Sequence, residues 1–291
     1  MQRDGPAVTG TEALASVPRE PFIPSRIYVP SEDTGWLVPL HREDDPERWR
    51  QQVYANRPVV TAVAPDPRAP TRILDPTTGR GYVSTSSSSD PRIMSRMIDA
   101  ADLVPGMRVL EIGTGTGYNA ALLAYLLGAE NVVSVEVDVS VAEYARSSLA
   151  AAGYPVRVVA GDGTEGYPPG APYDRVIATA SVAALPYAWI EQTRPGGCIV
   201  APWAATFHPD GPLGLFTVGG DGGAEGRFSD PAPFMPMRGS RIPPGTHVQE
   251  WWESMDEPEP ARFGLTVTPE GHQRLWLDEP RRMVDPTPMP E

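Results

Sequence analysis

The sequence predicts an α/β fold with a Rossmann-like, largely parallel sheet, and three observations carry that expectation. Arg108-Val-Leu-Glu-Ile112 is a short β-branched and aliphatic run of the kind buried on both faces of a parallel sheet. Gly113, Gly115 and Gly117 then punctuate a sharp turn, after which Ala120, Ala121, Leu123, Ala124 and Leu127 recur at helical spacing over Tyr118 to Leu127. A second apolar run, Asn131 to Val137, carries Glu136 near its end. Strand, glycine turn, helix and strand thus form one continuous unit. Two further strands are expected at Val156 to Ala160 and at Tyr173 to Thr179.

Such a unit suits a nucleoside. Glycines let backbone N–H groups approach a ligand with no Cβ in the way, and the helix beginning near Tyr118 adds its positive end. A carboxylate at the tip of the second strand, Glu136, can accept both ribose hydroxyls. The plain alternative is a βαβ crossover whose glycines only make a tight turn. Dinucleotide sites favour G-x-G-x-x-G, whereas here the spacing is Gly113-x-Gly115-x-Gly117 with Glu111 before it. The strand ending at Ala160 runs into Gly161-Asp162-Gly163, whose acid can accept from an adenine amino group. Together these three motifs resemble the class I S-adenosylmethionine-dependent methyltransferases.

Composition bounds the reading. At 291 residues the chain can bury a sizeable core, as one large domain or one with additions. Lys plus Arg number 24 against 37 Asp plus Glu, a net charge of −13, which disfavours a nucleic-acid partner for lack of a basic surface. An acidic field suits a cationic sulfonium cofactor. No apolar run is long enough to span a bilayer and the N-terminus carries no basic-then-apolar signal, so no membrane partner and a cytoplasmic location are expected. Cys198 stands alone, which rules out an internal disulfide and fits a reducing compartment. His41, His208, His247 and His272 are scattered without ligand spacing, so no metal site is expected.

From its start the chain reads as a polar stretch, Met1 to Glu12, expected to fray. Three prolines in Val17-Pro-Arg-Glu-Pro-Phe-Ile-Pro24 then force an extended path, on which Arg19 and Glu20 read as a solvated ion pair. Residues 25–83, with Trp36, Trp49, Tyr54 and Tyr82 among many prolines, are expected to pack as irregular structure over a core formed elsewhere. The polar run Ser84 to Ser89 reads as a linker, ordered at its end because Asp90 or Ser89 can cap a helix from Arg92 to Ala101 with Pro91 in its first turn. It ends close enough to the glycine turn to fold over it. Near the C-terminus, Phe263 to Thr268 and His272 to Leu277 flank Pro269-Glu-Gly271 as a β-hairpin, either a clamp over a peptide or a cover for a sheet edge.

A finer resemblance rests on motifs in one order: Val17-Pro-Arg-Glu20-x-Phe22-Ile-Pro24, Ser89-x-Pro91, Val109-Leu-Glu-Ile-Gly-Thr-Gly-Thr-Gly-Tyr118, Gly161-Asp-Gly163, Ile177-Ala-Thr-Ala180, Pro195-Gly-Gly197 and Phe234-Met-Pro-Met-Arg238. Over residues 17–239 the chain resembles the protein-L-isoaspartate O-methyltransferases. That resemblance implies Ser89 as the active-site hydroxyl, with Ser88, Thr179 and Ala180 beside it in the substrate cleft. It also implies S-adenosylmethionine, with S-adenosylhomocysteine as product, held by Glu111, Gly113, Thr114, Gly115, Gly117, Tyr118, Asn119, Glu136, Val137, Asp162 and Gly163. The implied division is an N-terminal segment over 1–83, a catalytic domain over 84–239 and a C-terminal extension over 240–291.

Departures bear on the substrate. Asp90 brings a negative charge beside a site expected to receive a carboxylate, and both the 25–83 segment and the 240–291 piece are additions. With Trp49-x-x-x-Val53-Tyr54, Ala188-Trp-Ile-Glu-Gln-Thr193 and Phe263-Gly-Leu-Thr-Val-Thr268, they look similar to the branch encoded with ribosomal peptide biosynthesis. In that branch the implied acceptor is an aspartate of a lanthipeptide, graspetide or lasso precursor, cyclised or not, which then forms an aspartimide or isoaspartate. The alternatives are repair of isoaspartyl proteins, methylation of a small molecule, or a catalytically silent cofactor-binding module.

Overall fold

Residues 9–240 and 242–286 are described in the computed structural model, and residues 1–8 of the stretch expected to fray lie outside them. Thr9 caps the short helix α1 (Gly10–Ser16) by accepting from Glu12 N, so residues 9–12 are ordered where fraying was expected. The reason is packing. Gly10 lies so close to Ser95 that an added Cβ would sit 2.5 Å from its backbone, and Gly10 N donates to Asp99 Oδ1 at 2.8 Å.

Residues 26–88 correct the expectation of irregular packing. They form strands β1 (Arg26–Pro30), β2 (Leu37–His41), β3 (Val59–Pro65) and β4 (Tyr82–Ser88), with helix α2 (Pro46–Tyr54) between β2 and β3. The antiparallel order is β2-β1-β3-β4. This sheet has its own apolar cluster, built on Ile27, Val29, Leu40, Trp49, Val53 and Val59. Burial alternates along β1, and α2 buries only Trp49 and Val53, four residues apart on one stripe. The prolines sit where no N–H is needed: Pro46 opens α2 behind the Asp45 cap, and Pro30 and Pro65 end strands. The serine run is likewise a strand and no linker, because Ser88 and Ser87 pair with Val59 and Val60 of β3.

The second sheet holds the expected unit. After helix α3 (Pro91–Ala100) come β5 (Val109–Ile112), α4 (Tyr118–Leu127), β6 (Val132–Glu136), α5 (Val139–Ala151), β7 (Arg157–Ala160) and β8 (Tyr173–Ala178). The chain continues through α6 (Tyr187–Gln192), β9 (Thr193–Pro202), β10 (Pro212–Val218), β11 (Ala224–Pro231), α7 (Gly245–Ser254), β12 (Phe263–Val267) and β13 (Gln273–Leu277). The spatial order is β13-β12-β11-β10-β9-β8-β5-β6-β7, parallel from β9 to β7 and antiparallel beyond β9. Successive residues of β5 feed opposite cores. Val109 joins the cluster of α3, α4 and α5, while Leu110 and Ile112 join the one containing Tyr173, Trp189 and Phe216.

From β5 the chain winds outward through β6 and β7, then returns to the other side of β5 as β8 and β9. The turn after β5 and the end of β8 therefore flank a topological switch point, where open α/β sheets hold ligands. The C-terminal hairpin is present as expected, and β12 pairs with β11, so it extends the sheet and covers that edge. Among the described residues, no helix is long and apolar enough to cross a membrane.

Candidate functional site

A cavity of about 310 Å³ opens at the switch point, within the size range of small-molecule sites. Its walls are the glycine turn, the tips of β6 and β8, Asp162-Gly163, the serines of β4 and the segment Phe234 to Arg238. Asp90, Glu136 and Asp162 line it against a single cation, Arg238, among the described residues.

The glycine turn is demanded by geometry. Gly113, Gly115 and Gly117 have φ of +95°, +54° and +86°, where side chains are disfavoured. A Cβ on Gly113 would meet Thr179 Oγ1 at 2.8 Å. Gly115 N donates to Glu136 Oε2 at 2.9 Å, and Asp138 N donates to Oε1 at 3.1 Å. Glu136 is 9% exposed, and each oxygen keeps a further lone pair for a ligand hydroxyl. Asp162 accepts from Thr164 N and Oγ1 at 2.9 and 2.8 Å, and Trp189 Nε1 anchors the neighbouring Gly163 carbonyl at 2.7 Å.

Of the predicted cofactor residues, Gly113, Thr114, Gly115, Tyr118, Asn119, Glu136, Val137, Asp162 and Gly163 all line this cavity. Glu111 and Gly117 do not. Gly117 caps α4 and packs against Leu149. Glu111 is fully buried behind the turn, where it accepts from Asn119 Nδ2 at 2.8 Å and from Ser134 Oγ, while Ser134 Oγ also bonds Thr114 Oγ1 at 2.6 Å. It braces the glycine loop and β6 from inside. Burial pushes its carboxyl up to about 7, with the charge of Glu136 adding to the shift and the two hydrogen bonds opposing it.

That shift has a measurable sign. Between about 4.5 and 7 the folded chain binds the Glu111 proton and the unfolded chain releases it, so this residue's contribution to stability falls as pH rises. The full change is roughly 3 kcal/mol. Denaturant titrations across that window should show a flatter pH dependence for Glu111→Gln than for the unsubstituted chain. Parallel curves would show that Glu111 does not titrate there.

On the opposite wall, Ser89 lines the cavity and its hydroxyl bonds no protein group among the described residues. Ser88 is buried, and its hydroxyl accepts from Arg19 Nε at 3.2 Å. Thr179 donates its hydroxyl proton to the Gly113 carbonyl, so it holds the turn, while Ala180 lines the cavity beside it. The negative charge at Asp90 is not presented bare. Asp90 caps α3 through Arg92 N at 2.9 Å and pairs with Arg92 Nη2 at 2.8 Å. Burial opposes its ionisation, but the hydrogen bonds and charge of Arg92 outweigh that and hold the carboxyl below its usual range.

Two site features escaped the sequence reading. Arg19, read as half of a solvated pair, is 3% exposed and bonds backbone carbonyls, while Glu20 pairs instead with Arg42 and Arg50. Arg238 closes the cavity rim by pairing with Asp138 at 3.0 Å. The signal for the first was a cation flanked by apolar Val17 and Phe22; the second joins positions 100 residues apart and leaves no local trace. Tyr118 links the two ends of the site, since its hydroxyl donates to the Val17 carbonyl at 3.1 Å. None of the described residues after Ser240 lines the cavity. Nor is any group of three His, Cys, Asp or Glu among the described residues placed to hold a metal ion.

Comparison with known proteins gives a consistent result. The family model described as protein-L-isoaspartate(D-aspartate) O-methyltransferase (PCMT) matches residues 68–236. The protein-L-isoaspartate O-methyltransferase of Ignicoccus hospitalis is 47% identical over 116 residues, 39% of this chain and 55% of that relative. The Methanopyrus kandleri enzyme of that name is 38% identical over 168 residues, 57% of this chain and 65% of its own length. The chain thus spans between about half and two thirds of the length of these relatives. A solved structure titled protein-L-isoaspartate O-methyltransferase superposes with a TM-score of 0.64 at 21% identity, covering 93% of this chain and 95% of its own, a likeness of fold. That coverage takes in most of the 25–83 and 240–291 pieces, so the likeness of fold extends beyond the central sheet.

Proposed function

Because the chain belongs to the protein-L-isoaspartate(D-aspartate) O-methyltransferase family, we propose that it methylates the carboxylate of an isoaspartyl residue in a peptide or protein, with S-adenosylmethionine as donor. One observation carries this reading. Glu136, tied to the glycine turn, and the hydroxyl of Ser89, which has no partner among the described residues, line the same cavity at the switch point. The cofactor residues fit the group: Glu136 for the ribose hydroxyls, Asp162 for the adenine amino group, and Gly113, Thr114, Gly115, Tyr118, Asn119, Val137 and Gly163 for the remaining wall. With Asp90 balanced by Arg92 and Arg238 by Asp138, the lining carboxylates Glu136 and Asp162 leave the cavity net negative, which suits a cationic ligand.

S-adenosylmethionine supplies an electrophilic methyl carbon on a sulfonium, leaving S-adenosylhomocysteine. The chain's own task is alignment. An acceptor carboxylate has a pKa of about 4, so it is ionised near neutral pH and requires no general base. Ser89 donates to one oxygen of that carboxylate and leaves the other free to attack. Ile93, Met94 and Phe234 line the cavity with apolar surface and keep water from the reacting carboxylate. Holding the reactants in line supplies several kcal/mol of barrier reduction, up to roughly 7 to 11 in good intramolecular cases. After release, the next backbone nitrogen of the ester displaces methanol and closes a five-membered imide.

Loss of one hydrogen bond to a charged group is worth about 1.5 to 3 kcal/mol, so Ser89→Ala should lower kcat by roughly tenfold to a hundredfold. S-adenosylmethionine affinity, read by isothermal titration, should stay within about twofold, since Ser89 stands on the acceptor side. Unchanged turnover would remove Ser89 from the site.

A narrower reading places the acceptor on an aspartate of a ribosomal peptide precursor. Its supporting phrases now have structural explanations: Trp49, Val53, Trp189 and Phe263 are all fully buried core residues. The isoaspartyl reading is therefore preferred. Competition between matched aspartyl and isoaspartyl peptides separates the two, with preference for isoaspartate expected. The lone Cys198 fits a cytoplasmic setting for either substrate.

A further inference from the structure

We propose that Arg19 is the positioning residue for the active-site hydroxyl, setting the direction of Ser89 by gripping the backbone on which it stands. The inference rests on the assignment of Ser89 above.

Arg19 is buried, and every nitrogen of its guanidinium is committed. Nη2 donates to the carbonyls of Ser88 and Ser89 at 2.9 and 2.7 Å, and Nε donates to Ser88 Oγ at 3.2 Å. Nη1 donates to the carbonyls of Val53, Ala55 and Arg57 at 3.0, 3.4 and 3.3 Å. Among the described residues no carboxylate forms an ion pair with it. A buried cation outside any ion pair is costly, and this one is held chiefly by carbonyl dipoles, with the Ser88 hydroxyl and the nearby charge of Asp90 adding to them. Those dipoles come from two places: the C-terminal end of α2, where carbonyls lack helical partners, and the junction of β4 with α3.

The junction matters most. Ser88 ends β4, Asp90 caps α3, and Ser89 is the single residue between them. With the carbonyls on Ser88 and Ser89 both held by one planar group, and Asp90 fixed by Arg92, the backbone torsions at Ser89 have little freedom. Its side chain is then aimed into the cavity by the chain on either side. The guanidinium carbon also lies 5.9 Å from the ring of Tyr118, whose hydroxyl holds Val17, so the same node is fixed to the cofactor turn. A planar fork is required for this geometry. Lysine carries a charge of the same sign but a point-like head with three donors, which cannot span both groups of carbonyls.

The test uses the full chain with Arg19→Lys, Ser89→Ala and the double variant, assayed on an isoaspartyl peptide. Arg19→Lys should lower kcat by about tenfold or more, as expected of a displaced reacting group, while S-adenosylmethionine affinity stays within about threefold. The double variant should be no slower than Ser89→Ala alone, because Arg19 acts through that hydroxyl. Ser88→Ala removes only the Nε contact and should give a smaller fall in kcat in a folded chain, which keeps the test open if Arg19→Lys does not fold. Full kcat in Arg19→Lys, full kcat in Ser88→Ala when Arg19→Lys is unfolded, or losses that multiply in the double variant would overturn the proposal. A Ser89→Ala chain with unchanged turnover would instead overturn the site assignment beneath it.

Discussion

Replacing Glu136 with alanine is expected to weaken S-adenosylmethionine binding by about a hundredfold, the largest single effect on the cofactor that the site allows. The carboxylate stands at the tip of β6 and is 9% exposed, so its hydrogen bonds are little screened by solvent. It does two things at once. Its oxygens accept from Gly115 N and Asp138 N, which hold the glycine turn and the start of α5, and their remaining lone pairs face the cavity. Charged hydrogen bonds to two ribose hydroxyls are worth about 1.5 to 3 kcal/mol each, and at least two factors of ten follow from their loss. Glu136→Gln keeps one acceptor and should fall between. Isothermal titration decides the matter, and an affinity within threefold of the unsubstituted chain would show that the sugar is held elsewhere.

The second large effect falls on Trp189, which is fully buried and among the bulkiest side chains of the core. Trp189→Ala should cost about 3 to 5 kcal/mol through the cavity it leaves. A chain of this size should then lose roughly 10 °C in Tm. Stability is only half of the consequence, because Trp189 Nε1 donates to the Gly163 carbonyl at 2.7 Å and so holds Asp162-Gly163 against the cofactor wall. Trp189→Phe separates the two contributions. It keeps most of the apolar packing and loses the donor, so it should spare most of the Tm while still weakening cofactor binding. Equal Tm losses for both variants, with unchanged affinity, would confine Trp189 to the core.

The parts of this molecule legible in the sequence are those whose causes are local. Val109 and Leu110 face opposite cores, so β5 had to read as apolar on both faces, with Glu111 the one exception. The glycines at positive φ mark their own turn, and α4 spans Tyr118–Leu127 as its spacing predicts. Glu136 and Asp162 were legible because an acid closing an apolar run falls at a strand tip. Glu111 was misread for the same reason: an acid inside such a run faces either the cavity or the core, and only Asn119 and Ser134, polar residues in otherwise apolar elements, hinted at the core. The small sheet was hidden by prolines that turn out to sit at element ends or, for Pro39, within the edge strand β2, and by a β3–β4 register broken twice by irregularities. Arg19 was hidden by distance, since the carbonyls it bonds lie 34 to 70 residues away in the chain.

Incubating the full chain with S-adenosylmethionine and a synthetic isoaspartyl peptide, and following the peptide by mass spectrometry, tests the shared cavity most directly. The expected result is a gain of one methyl group on the isoaspartyl carboxylate, followed by loss of methanol as the imide closes, with the ester strongly reduced in Ser89→Ala. Cofactor turnover that leaves the peptide unmodified, or a methyl group found on any atom other than a carboxylate oxygen, would contradict it.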